Sequence, residues 1–317
     1  MTGKPARKAA LALLLAAVPT LAHSAPGEWV QHVTPVATPP QAGAVAVAAP
    51  TAALPRPTPA FPESWAQQGP QQRFVYNVSQ PALLPYAGTL PADALAPAVI
   101  LVPGGGFAFL AMDNEGWGVA RRLDRLGVRV FILKYRTLPI AGGFAGMIDT
   151  LNATFAPRPG APRPDITRDL PDAVADTQNA LRLVRANAKA WHVDPARVGL
   201  LGFSAGAITT LATLQANAAD ARPDFAGMLY GPTQAAAIPP SPPPLFAAIA
   251  ADDRFFRDQD LGLISGWRRA GGSVEFHLFA AGGHGFASQP TGTTADAWFT
   301  QLAGWLRSQK IVPASRR

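Results

Sequence analysis

Val198-Gly199-Leu200-Leu201-Gly202-Phe203-Ser204-Ala205-Gly206-Ala207 is the stretch from which the rest of the chain is read. Its first six residues are a continuous apolar run set off by Asp194-Pro195, the pattern of a strand buried on both faces. A helical spacing over 207–215 comes directly after it. Between the two stands G-x-S-x-G, Gly202 to Gly206. A sharp strand-to-helix turn of this type strains the serine backbone and exposes its hydroxyl, and side chains at the flanking glycines would strike the neighbouring strand and helix. Ser204 is therefore the candidate nucleophile. A tight glycine turn with an incidental serine is the alternative.

The same alternation continues in both directions. Apolar β runs are predicted at 74–78, 98–102, 128–133, 225–230, 245–250 and 274–279, and helices at 115–126, 172–189, 261–270 and 295–306. Strands alternating with amphipathic helices imply an α/β fold, a mostly parallel central sheet with helices on both faces and right-handed crossovers. Residues 138–165, with Gly142, Gly143, Gly146, Pro157, Pro159, Pro162 and Pro164, read as a long irregular insertion. No internal repeat of solenoid or propeller length is present.

Lys4, Arg7 and Lys8 precede the run Ala9–Val18, and small residues come after Pro19. That is the plan of a secretory signal peptide, too short to span a bilayer, so 1–24 is expected to be removed on export to a periplasm or the medium. Residues 25–70, rich in Pro and Ala, are expected as a linker or loosely attached arm, and 71–312 as the catalytic domain. No further stretch is long and apolar enough for an integral membrane segment.

Composition removes several classes of function. With Cys 0 among 317 residues there is no thiol nucleophile, disulfide scaffold or zinc ribbon. The formal charge of +7 is scattered, with no basic run interleaved with aromatics, so nucleic acid is not the expected partner. No paired His or clustered carboxylates suggest a metal, and the glycines of Pro103-Gly104-Gly105-Gly106-Phe107 lack the Gly-Lys-Ser/Thr of a phosphate loop. No cofactor is implied.

A serine nucleophile needs a base. Of the five histidines, His23 lies in the leader, His32 in the arm, His192 at a helix end and His277 inside a strand. His284 alone sits in a glycine loop, Gly282-Gly283-His284-Gly285-Phe286, beyond a strand and before the terminal helix. The imidazole needs an acid, and Asp252-Asp253 succeeds the strand 245–250 in the order Ser…Asp…His that this turn type carries. Asp252, closer to the strand end, is favoured, which leaves Asp253 to a turn or a surface hydrogen bond. For the oxyanion, the N–H groups of Gly105 and Gly106 are expected as donors, with that of Ala205 as a third.

With these residues in place, the chain resembles an α/β-hydrolase of the bacterial acetylxylan esterase and feruloyl esterase-like group. The resemblance rests on Pro103-Gly104-Gly105-Gly106-Phe107, Glu115-Gly116, Phe131–Arg136, Ala180–Arg185, Asp194–Gly199, Gly202–Gly206, Arg222-Pro223-Asp224-Phe225, Asp252-Asp253 and Gly282–Phe286, in family order. It implies the α/β-hydrolase fold and a serine carboxylic-ester hydrolase for short acyl groups on a small molecule or oligosaccharide, often acetyl groups on sugars such as xylan. Carried over by position, Ser204 is nucleophile, His284 base and Asp252 the orienting acid. Ala207 departs from the family's second glycine, and the insertion is longer than the usual connection. Phe107, Phe109, Trp117, Phe144 and Met147 are candidates for the substrate pocket, Phe107 and Trp117 foremost. A peptidase of the same fold, a lipid-type esterase and a non-enzymatic sugar-binding reuse of the fold are the rival readings. The peptidases carry a propeller domain, and a binding protein would most naturally show a broken triad.

Overall fold

A strand that is apolar on both faces must be paired along both edges and covered above and below. In the computed structural model, which describes residues 32–48, 61–91, 93–155 and 170–314, one twisted sheet of eight strands meets that requirement. Its members are β2 (Val45–Ala46), β5 (Ala82–Pro85), β6 (Ala96–Val102), β8 (Arg129–Lys134), β9 (Val193–Phe203), β10 (Ala226–Leu229), β11 (Leu245–Ala250) and β12 (Val274–Phe279). They lie in the order β12-β11-β10-β9-β6-β8-β5-β2. From β8 to β12 all pairs are parallel, and β5 joins β8 antiparallel, as β2 joins β5. β6 lies between β8 and β9, so the chain runs one way from β6 to β8 and then crosses back. Crevices at such a switch point, outside the carboxyl ends of the strands, are where open α/β sheets bind ligands.

The connecting helices are α1 (Gly118–Asp124), α2 (Gly143–Phe155), α3 (Leu170–Ala186), α4 (Ala205–Ala216), α5 (Gly262–Arg269) and α6 (Trp298–Ser308). The alternation of β11 assigns the faces. Leu245 and Ala247 pack with Leu211 and Leu214 of α4 and Leu263 and Trp267 of α5. Phe246, Ala248 and Ala250 point to the other cluster, which holds Trp298, Leu302 and Trp305 of α6. α1 joins α6 there, its Arg122 guanidinium 4.1 Å from the Phe299 ring centre.

Two expectations change. Residues expected as a loose arm form strands: β1 (Val33–Val36) and β3 (Ser64–Gln68) pair with each other, and β3, β4 (Arg73–Tyr76) and β7 (Phe109–Leu110) extend them into a second, antiparallel sheet. β2, also from that segment, edges the main sheet. Prolines remove a donor at single positions only, and Pro35 sits in edge strand β1, where proline is tolerated. Glu63 and Gln41 then reach the buried Lys134 ammonium at 2.8 and 3.0 Å. The second change is α2, inside the segment expected to be irregular. Its glycines weaken helix propensity, but Met147 and Leu151 are buried against Ile140, Phe74 and Ala108, and packing outweighs propensity. The leader 1–24 and residues 156–165 of the insertion lie outside the described residues.

Arg136, just past β8, is buried with two carboxylates of α3: Asp172 at 2.8 Å and Asp176 at 2.7 Å, and Asp176 also accepts the Arg136 backbone N–H. Removing one partner leaves a buried guanidinium short of acceptors, so Asp176→Ala should cost about 3–5 kcal/mol. The check is a lower urea midpoint at an unchanged slope. A midpoint equal to that of the unaltered protein would show that the pair carries no net stability.

Candidate active site

Four strand ends bring the site together. Pairing of Val102 with Gly202 sets the end of β6 beside the end of β9, and pairing of Ala250 with Phe279 aligns β11 with β12. The segments that leave these ends are 103–107, Ser204, 251–253 and 280–286.

Ser204 has φ 51° and ψ −117°, a strained conformation for a residue with a side chain. The turn is over-determined by close approach. A Cβ on Gly202 would lie 2.3 Å from the Gly206 carbonyl and Thr210 Oγ1 of α4, and one on Gly206 would lie 1.8 Å from the Val102 carbonyl of β6. The backbone N–H of Ser204 donates to Leu229 O at 3.1 Å. Ala207, where the resemblance led to a glycine, faces Gly231 and so finds room for its methyl.

Ser204 Oγ lies 2.8 Å from His284 Nε2, and His284 Nδ1 lies 2.8 Å from Asp253 Oδ2. A carboxylate only accepts, so the Nδ1–H donates to Asp253, and in the neutral ring Nε2 is left to accept from the serine hydroxyl. The aspartate is thus Asp253 and not Asp252. The Asp253 N–H closes a turn onto Ala250 O, which folds the side chain back beneath the imidazole, where it is fully buried. Nearness to the strand end does not decide which carboxylate faces inward; this reversal does. Asp252 accepts the Gly283 N–H at 2.8 Å, tethering the residue before His284. Of the other described histidines, His277 pairs with Glu275 on β12.

The loop after β6 is held at several of its polar atoms. Tyr135 Oη donates to Pro103 O, the Gly104 N–H to Glu115 Oε2, Ala111 N–H to Gly104 O, Phe109 N–H to Gly105 O, and Leu138 N–H to Phe107 O. Among the described residues no such bond takes up the N–H of Gly105 or Gly106. Gly105 has φ 134°, and a Cβ there would lie 2.1 Å from the Phe109 carbonyl. Ala205 is the first residue of α4, whose positive end carries N–H groups without an intrahelical acceptor.

Phe107 is buried, with its ring edge-on to Tyr135. Trp117 is taken up by Trp65 at 6.1 Å and by the Arg73 guanidinium at 5.4 Å. Both were expected at the substrate; the contacts described for them are with neighbouring side chains. Aromatics around His284 include Phe255, 38% exposed and edge-on to the imidazole at 4.7 Å, Tyr230 at 4.9 Å and Phe256 at 5.9 Å; Phe155 of α2 lies 5.9 Å from Phe255. A Cβ on Gly106 would lie 3.4 Å from Phe155 Cζ, so the end of α2 closes over the glycine loop.

Glu115, Asn114 and Tyr230 were not singled out for the site. Glu115 is buried; burial pushes its carboxyl up, while the Gly104 N–H, Tyr230 and His284 draw it down. Burial also holds the hydroxyls of Tyr135 and Tyr230 well above the usual range, with the Glu115 charge adding to both, so both stay donors. The acid before Gly116, in the acidic stretch Asp113-Asn114-Glu115, was the available signal. Among the described residues, no group of three or more His, Asp or Glu is arranged to hold a metal, and no helix is long and apolar enough to cross a membrane.

Residues 162–233 match the family model described as BD-FAE. Over 279 residues the chain is 24% identical to an acetylxylan esterase of Xylanibacter ruminicola, covering 77% of this chain and 52% of that protein; it thus spans about half the length of this curated relative. Among solved structures it is similar to an acetyl ester-xyloside bifunctional hydrolase from Caldicellulosiruptor lactoaceticus, with TM-score 0.55, 22% identity and coverage of 74% and 90% of the two chains. It is also similar to a thermophilic esterase from Thermogutta terrifontis, with TM-score 0.57, 15% identity and coverage of 76% and 91%. A carboxylesterase of Lactobacillus plantarum gives TM-score 0.56 at 18% identity, with coverage of 77% and 98%. The fold is that of the α/β-hydrolases.

Proposed function

We propose that this chain is a serine carboxylic-ester hydrolase that removes short acyl groups, acetyl foremost, from a sugar. The observation that carries the reading is the unbroken line from Ser204 Oγ through His284 to the buried Asp253, facing a loop whose Gly105 and Gly106 N–H groups are left unclaimed. Ser204 attacks the ester carbonyl as His284 Nε2 takes its proton. The N–H groups of Gly105, Gly106 and Ala205 receive the negative charge on the carbonyl oxygen, and Asp253 steadies the imidazolium. The imidazolium protonates the departing alcohol. Water, deprotonated by the same His284, then adds to the acyl-serine and releases the acid.

The short acyl group is supported by Thr154 and Phe155, which close over Gly106. The sugar is supported by the similarity to an acetylxylan esterase. Export rests on the composition of 1–24.

Initial rates on 4-nitrophenyl acetate, butyrate and octanoate, with acetylated xylooligosaccharide beside them, test the reading. Acetate should lead octanoate by at least about tenfold in kcat/KM, since a few misplaced methylenes are worth about 1–3 kcal/mol, and the oligosaccharide should lose acetate. A preference for octanoate would redirect the reading to a lipid-type esterase. Turnover of none of the esters would reject it in favour of a peptidase or a non-enzymatic binding protein.

A further inference from the structure

Residues 112–117 are wound as a single π-helical turn, a local irregularity found mostly at functional sites. Three successive polar side chains leave this turn for different parts of the molecule. Asp113 takes the Arg73 guanidinium in two bonds of 2.8 and 2.9 Å and the Arg73 N–H in a third, which ties the turn to the second sheet. Asn114 reaches the loop after His284: its Nδ2 donates to Gly285 O at 2.9 Å, and its Oδ1 accepts the Ser288 N–H at 2.9 Å and hydroxyl at 3.0 Å. Glu115 points inward. One carboxyl oxygen accepts the Gly104 N–H and the other the Tyr230 hydroxyl at 2.8 Å. Tyr230 is itself fixed, its N–H on Ala248 O at 2.7 Å and its ring edge-on to both His284 and Phe286 at 4.9 Å.

We infer that Glu115 is a positioning residue for the proposed hydrolase: through its two accepted hydrogen bonds it sets the glycine loop of 103–107 at a fixed distance from His284, with Asn114 holding the far side of the histidine loop. The inference rests on the hydrolase reading and adds what neither strand end supplies. The glycine loop and the histidine loop leave β6 and β12, which are not neighbours in the sheet, so backbone pairing does not fix their separation. Donors must stand within a few tenths of an ångström of where the oxyanion forms, and a misplacement of about 1 Å can cost about 10²-fold. Burying a carboxyl without a cation is expensive, and among the described residues no ion pair meets Glu115. Packing alone would be served as well by an apolar residue of similar size.

The test measures 4-nitrophenyl acetate hydrolysis and, separately, the rate at which a fluorophosphonate labels Ser204. Labelling depends on the activated serine and the oxyanion donors but not on the natural substrate. Glu115→Ala should lower kcat about 10²-fold with KM within about threefold, and slow labelling in proportion. Glu115→Gln, which can still accept from Gly104 and bond Tyr230, should recover most of both rates. Should Glu115→Ala not fold, Tyr230→Phe carries the test, with kcat expected to fall about tenfold at unchanged KM. Rates within about threefold of the unaltered protein in Glu115→Ala, or in Tyr230→Phe where that variant carries the test, would overturn the inference, as would a Glu115→Gln as damaged as Glu115→Ala. If the unaltered protein is not labelled at all, the hydrolase reading falls and this inference with it; if it is labelled and Glu115→Ala is labelled equally, only the inference falls.

Discussion

Ser204→Ala should lower kcat on 4-nitrophenyl acetate by about 10⁵–10⁶-fold while KM changes little, because the hydroxyl forms a bond only after the ester is bound. In this protein the loss should be clean. The turn is held by Gly202 and Gly206 against α4 and β6, and Ser204 contributes to it through its backbone, so alanine leaves the loop geometry in place. The oxyanion donors are likewise untouched, and a residual rate about 10³–10⁴ above water is expected from them. The positive φ of Ser204 persists in the variant, so a change of thermal midpoint beyond a few degrees would mean that the hydroxyl bond to His284 contributes to folding. Turnover comparable to that of the unaltered protein would remove Ser204 from the mechanism and with it the proposed reaction.

The second large effect separates two neighbouring carboxylates. Asp253→Asn should lower kcat by about 10⁴-fold, since an amide facing Nδ1 can donate and so favours the tautomer with its proton on Nε2, which then cannot accept from Ser204. Asp252→Asn should lose less than about tenfold: its carboxyl only receives the Gly283 N–H at the rim, and the asparagine carbonyl oxygen can receive the same bond. The single assay on both variants decides the assignment. Equal losses would mean that the Gly283 tether orients His284 as strongly as Asp253 does, and a larger loss at Asp252 would return the role to the residue nearer the strand end. Partial recovery of Asp253→Asn at high pH would support the tautomer account, because deprotonation no longer has to be relayed through the ring.

These two aspartates also mark where the sequence stops being legible. The strands 245–250 and 274–279 coincide with the predicted runs because apolar continuity and alternation are local consequences of burial. Beyond the end of a strand the path is set by a turn of three residues, and the inward carboxylate is selected by the Asp253–Ala250 closure, which no spacing rule contains. Likewise α2 hides behind Gly142, Gly143 and Gly146, since propensity is local while the burial of Met147 and Leu151 is supplied by β4 and the loop before α2. Strands β1 to β3 are concealed by the prolines around them and by Pro35 in edge strand β1, a place where proline is tolerated. For Phe107 and Trp117 a related point holds: position in a motif does not give the direction of a ring, and Phe107 packs edge-on to Tyr135 while the half-buried Trp117 packs against Trp65.

The sequence alone determines the alternating α/β plan, the strand–turn–helix around Ser204, the single histidine in a glycine loop beyond the last strand, and the glycine run after β6. Each is a statement about residues within one element, where glycine, apolar period and chain order suffice. Tertiary structure decides which of two adjacent aspartates meets His284, that Phe255 stands edge-on to that histidine, and that Glu115 accepts from both Gly104 and Tyr230. Those depend on distances between strand ends that are not neighbours in the chain, and such distances exist only once the sheet is built.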